Sequence, residues 1–144
     1  MGQLWTVFNE RIRGKKQLVF LIEDTDGEKF GYYLNTQLNI YYSRQETDKK
    51  SFIFNLQSKD NRLKYPMKFE IKNVTLGGIQ LHDSVSKELV WLGDIRLRKD
   101  NHKKDSNCFQ SANLFDYDDI DNILCGKTGG LHFTPKQILV IQMK

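Results

Sequence analysis

At 144 residues, with 39% hydrophobic and 28% charged side chains, the chain has the makeup of one folded globular domain and lies far from disordered composition. Its net charge of +4, from 22 basic and 18 acidic residues, permits an acidic partner such as nucleic acid or a membrane surface without requiring one. No apolar run approaches the roughly 18 residues of a spanning helix, and the start lacks the apolar core of a signal peptide. The expectation is therefore an intracellular, cytoplasmic protein.

In chain order, residues 4–12 place Leu4, Trp5, Phe8 and Ile12 on one helical face, which predicts a short lead-in helix. LVFLI (18–22) and FGYYL (30–34) flank an acidic turn and predict a hairpin. Further strands are expected at 51–57, 67–74, 78–83, 89–92 and 94–98, with polar loops at 43–50, 58–65 and 99–107. In MKFEIKNV, Met67, Phe69 and Ile71 alternate with Lys68, Glu70 and Lys72, the pattern of a strand with one buried and one wet face. FDYDDIDNILCG (115–126) predicts a helix capped by Asp116 or Asp118 and ended by Gly126. ILVIQM (138–143) is apolar at nearly every position, so it predicts a central strand covered on both faces and entered from Pro135. The sum is one mainly β domain.

Several stretches resemble chemical sites and are better explained otherwise. EDTDG (23–27) meets a calcium-loop spacing at Asp24, Asp26 and Glu28, but Lys29 stands where Gly is needed and Asn35 where a bidentate Glu is needed. Asp26-Gly27 is instead a strong turn dipeptide. CGKTGG (125–130) looks like the end of a phosphate loop, yet Asp121 occupies the place of its first Gly. The cluster Asp116, Asp118, Asp119 and Asp121 lacks the pattern of a metal loop, and helix capping accounts for part of it. His82, His102 and His132 are isolated, with no zinc-ligand spacing to a cysteine. No nucleophile–base pair, metal motif or cofactor motif can be named, so an enzyme is not expected.

Two cysteines are too few for a disulfide scaffold, and the expectation for Cys108 and Cys125 is a pair of reduced thiols. A redox switch between them would suit a role in stress. MGQLWT fits the N-myristoylation pattern, Gly2 followed by Thr6, and a chance match or an added Met-Gly start explains it as well.

RLRKDNHKK (96–104) is the one notable charge cluster. A strand over 94–98 turns Ile95 and Leu97 inward and Arg96 and Arg98 outward, and the following loop adds Lys99, Lys103 and Lys104. The plainer reading is a solvated hairpin tip whose cations protect an edge. The sharper one is a DNA-binding patch neutralising about five phosphates, with a log–log salt slope near −4 to −5.

Taken together, LIEDTDGEKFGYYLN (21–35), SFIFNL (51–56), LGGIQL (76–81) and SNCFQSANL (106–114) resemble, in order, the motifs of the TLDc domain family. Cys108 stands where that family usually has Thr, and ILVIQM replaces its polar-aromatic final strand. With GKKQL and FDYDDIDNILCGK, the sequence is most similar to a divergent protist branch. The resemblance spans about residues 17–143, with 1–16 as a lead-in shorter than usual, as in the C-terminal part of a longer protein. It implies a sandwich of two antiparallel β-sheets flanked by short helices, and it makes EDTDG a turn between core strands. It also implies a non-enzymatic interaction module of oxidative-stress protection, with the vacuolar proton-pumping ATPase as a partner. Some divergent members imply the alternative, a DNA-binding stress regulator that would be nuclear.

Overall fold

A computed structural model describes residues 8–59, 65–121, 123–126 and 132–144. Helix α1 (residues 8–12) holds the second half of the expected lead-in, with Ile12 buried, while Leu4 and Trp5 lie outside the described residues. The first sheet contains β1 (Leu18–Asp24), β2 (Lys29–Leu34), β4 (Phe52–Gln57), β5 (Met67–Glu70) and β11 (Pro135–Gln142), in the spatial order β11-β1-β2-β4-β5. The second contains β3 (Arg44–Gln45), β6 (Ile79–Leu81), β7 (Glu88–Leu92), β8 (Ile95–Arg98), β9 (Ser106–Cys108) and β10 (His132–Phe133), in the order β10-β9-β8-β7-β6-β3. Every pairing is antiparallel. This is the expected sandwich.

Period-two alternation explains how the sheets face each other. Leu18, Phe20 and Ile22 of β1 are buried while Val19, Leu21 and Glu23 between them are half-exposed. Register then carries the inner row across the first sheet through Phe20, Tyr32, Ile53 and Phe69. These residues meet Ile79, Leu81, Val90, Leu92, Ile95 and Leu97 of the second sheet in one apolar cluster. The Tyr32 hydroxyl, fully buried, donates across the core to the Gly77 carbonyl at 2.8 Å. Burial without that acceptor would cost about 1–3 kcal/mol.

The outer face of the first sheet is also apolar. One row runs Ile141, Val19, Tyr33, Phe52, and the next runs Leu139, Leu21, Gly31, Phe54. Gly31 is required there, because a Cβ would run into the Phe20 carbonyl and the Phe54 ring. Two expectations fail for physical reasons. β11 is an edge strand, not a central one. Its apolar residues serve two different faces: Ile138 and Val140 pack on the core, whereas Leu139 and Ile141 are 43% and 46% exposed. The helix expected over 115–126 is not formed among its described residues. Asp118 and Asp119 both take positive φ, 54° and 57°, and the segment runs as turns from the Ile71–Phe115 bridge. Four aspartates within six residues favour local side-chain-to-backbone bonds over a helix, as the Asp118 amide donating to Asp116 Oδ1 illustrates.

Candidate functional site

The basic cluster sits on the β7–β8 hairpin and the 3-10 helix that follows it, Asp100–Asp105. Ile95 and Leu97 are buried and Arg96 and Arg98 share the opposite face, as the alternation requires. Cross-strand pairing sets what each arginine meets. Arg96 lies opposite Trp91, and its guanidinium stacks between the Trp91 ring at 4.0 Å and the Phe109 ring at 4.8 Å. Partial burial there draws its pKa below the ordinary guanidinium value. Arg98 lies opposite Glu88 and pairs with it at 3.1 Å, both side chains being largely covered. Lys99 directs its ammonium to the carbonyls of Asp83, Ser84 and Ser86 at 2.8, 3.4 and 2.5 Å. Lys103 and Lys104 are exposed on the 3-10 helix.

The five cations do not share one environment. Arg98, Lys99 and Lys103 line a cavity of about 490 Å³, and Arg96 and Lys104 are not among its lining residues. The cavity runs along β11 from Pro135 to Val140 and is closed opposite by Ser84–Lys87, Leu89 and the 3-10 helix. Phe8, Leu89, Ile138 and Val140 give it an apolar floor. Lys87, Lys103 and Lys136, all exposed, stand at its rim, and Asp100 is the one carboxylate of the lining among the described residues.

A second group of interactions shapes the far side of the hairpin. Asp94 follows Gly93, whose φ of 59° makes the turn. Its buried carboxylate accepts the Tyr117 hydroxyl at 2.7 Å and the Ser111 amide at 2.9 Å. Burial pushes its pKa up to about 6, against the lowering effect of those hydrogen bonds. Cys108 and Cys125 are joined in a disulfide, so the expectation of two reduced thiols is overturned. Both are buried where β9 meets the 123–125 turn, a proximity that their separation of 17 residues could not reveal.

The remaining sequence features find structural roles or fall elsewhere. In EDTDG, Asp24 Oδ1 accepts the amides of Asp26 and Glu28, and Gly27 takes a φ of 91°. Glu28 is buried and accepts the Lys59 amide. The loop is a turn. His82 packs on the Trp91 ring at 4.8 Å, and desolvation lowers its pKa. His132 lies against the Asp105 carbonyl at 3.3 Å, and His102 is exposed. Gly2 and residues 127–130 of CGKTGG lie outside the described residues. Among the described residues, no three His, Cys, Asp or Glu side chains converge as metal ligands. Sequence reasoning missed Trp91, Glu88 and Asp94. Aligning LVWL against DIRLR across the Leu-Gly-Asp turn would have set Trp91 opposite Arg96.

The family model of the TLDc domain matches residues 1–77, and the chain belongs to that family. The match begins ahead of the first motif and ends within the LGGIQL segment. It makes the chain a TLDc-type module, a class generally linked to oxidative stress and to protein interaction. No curated protein sequence matches the chain.

Proposed function

We propose that this protein is a non-enzymatic, cytoplasmic TLDc module that acts in protection against oxidative stress by binding a protein partner, with the vacuolar proton-pumping ATPase as the first candidate. The family match over residues 1–77 carries this reading. The surface is consistent with it, since the two apolar rows on the outer sheet face and the cation-rimmed cavity offer area to a protein partner. The test is direct binding of the full chain to the purified peripheral sector of that ATPase. Saturable association supports the assignment, and none at tens of micromolar sinks the ATPase part of it.

Duplex DNA binding by 96–104 is the second reading, favoured by the exposure of Lys103 and Lys104 on the 3-10 helix. Its electrostatics are reduced, because Glu88 neutralises Arg98 and carbonyls occupy the Lys99 ammonium. With Arg96, Lys103 and Lys104 left, the salt slope is expected near about −3 rather than −5. The Cys108–Cys125 bond belongs with the stress role. A dithiol reductant supplying two electrons and two protons would convert it to two thiols and release one fastening of the 109–124 segment, those made by Asp94 and Asn55 remaining.

A further inference from the structure

The two sheets present four edges, and among the described residues three of them are short or covered. β3 and β10 are two residues each. β5 is four residues and is covered by the segment around Phe115, through Asp116 N to Glu70 O and the Ile71–Phe115 bridge. β11 is eight residues long and, among the described residues, pairs only with β1. It carries no proline after its first residue, and between Lys136 and Met143 it has no charge. Along 137–142 such an edge is a template for another strand, free of the charges that usually block one and, among the described residues, uncovered. The single register shift in the β1–β11 ladder lies at Glu23/Asp24, near its start.

We propose that the β11 edge accepts an extended strand of another protein, of alternating acidic and apolar sequence. This rests on the reading of the chain as a protein-interaction module and names the chemistry of its partner. Main-chain hydrogen bonds to β11 would provide the affinity, and alternate side chains the selectivity. Apolar side chains on one face of the incoming strand extend the rows that Leu139 and Ile141 begin. Acidic ones on the other face enter the cavity beside β11, their stems against Ile138 and Val140 and their carboxylates toward Lys87, Lys103 and Lys136, the last an exposed side chain that Glu23 approaches at 3.9 Å. Charge argues against a second copy of this chain as the occupant. Pairing β11 with itself would bring two Lys136 and two Lys144 side chains to an edge already rimmed by cations.

The test uses the full chain and a labelled octapeptide of alternating Glu and Val. Its controls are the Lys/Val counterpart and a Glu/Val peptide with a central Pro. Saturable binding of the first is expected, with both controls at least about tenfold weaker. Hydrogen exchange should slow at the β11 amides that face away from β1 when the peptide is added. In K103E/K136E, which alters two exposed side chains and leaves the core untouched, the preference should invert toward the Lys/Val peptide. Equal binding of the Pro peptide, unchanged preference in K103E/K136E, or protection away from β11 would overturn the proposal. So would outward-facing β11 amides, those not bonded to β1, already protected in the free monomer, a β11-paired dimer in sedimentation, or binding of duplex DNA to the groove when no peptide binds. A partner that binds K103E/K136E as well as the parent refutes this edge and spares the interaction reading. Failure of the ATPase test with a bound Glu/Val peptide does the reverse.

Discussion

The five-stranded sheet ends in two edges, β5 and β11, that are built on opposite plans. β5 is short, bears the exposed Lys68–Glu70 pair, and is capped by backbone bonds from Lys72 and Asn73 to the Leu114 carbonyl and from Asp116 to that of Glu70. The covering segment is itself fastened three ways: by the Cys108–Cys125 disulfide, by Asp94 holding Ser111 and Tyr117, and by Asn55 reaching from the inner face of β4 to the Leu124 carbonyl at 2.7 Å. β11 has eight residues and no such cover among the described ones. Stability has been invested in closing one edge, and the other is left able to pair. Changes at β5 should therefore read out as unfolding, and changes at β11 as binding.

The largest break in that contrast is expected from Phe115→Ala. The Phe115 ring is fully buried, packs on Tyr32 and Tyr117, and abuts Gly93. Its loss should cost about 3–5 kcal/mol, read as a drop in the denaturant midpoint. Reducing the disulfide should come next, because cross-linking residues 17 apart is worth about 3 kcal/mol in loop entropy. The expected signature is faster hydrogen exchange at β5 and 109–126, with β1 and β11 little changed. If β11 amides exchanged faster too, the two edges would not be independent.

Asp94 predicts a pH effect of somewhat smaller size. Its folded pKa, about 6, lies above its usual value of 3.8, so the folded state holds the proton more tightly than the unfolded one. Its contribution should make the protein more stable as pH falls from about 7 toward 4.5, by on the order of 2–3 kcal/mol. Asp94→Asn should flatten that stretch of the profile in chemical denaturation. An unaltered slope would mean that another group titrates there. Leu139→Thr should have the smallest effect on stability, within about 0.5 kcal/mol because the side chain is substantially exposed. It should still weaken the Glu/Val peptide measurably.

The contrast also marks where sequence was informative. Composition of LVFLI and FGYYL marked the β1–β2 hairpin, and alternation in MKFEIKNV marked Phe69 and Ile71 as buried against wet Lys68, Glu70 and Lys72, although the strand expected over 67–74 ends at Glu70. The turn at Asp26-Gly27 was legible because its geometry is set within five residues. Elsewhere the outcome depended on distant partners. ILVIQM is apolar throughout because it serves a core on one side and an exposed apolar face on the other, a pattern that a central strand would share. FDYDDIDNILCG had helix signals at both ends, yet Phe115 answers to Ile71, Tyr117 to Asp94 and Cys125 to Cys108. Spacing of the basic residues correctly placed Arg96 and Arg98 on one face. It could not reveal that Trp91 and Glu88 would each engage one of them.

The pairing of Leu18 with Gln142 and of Ile22 with Ile138 joins the first strand to the last. During synthesis, β1 and β2 leave the ribosome while the residues of β11 are still untranslated. Until then β1 is the outermost strand, showing water the flank that β11 later covers. A nascent chain stalled between residues 126 and 132 should thus be stickier than the finished protein, and should lose that property once the final strand docks.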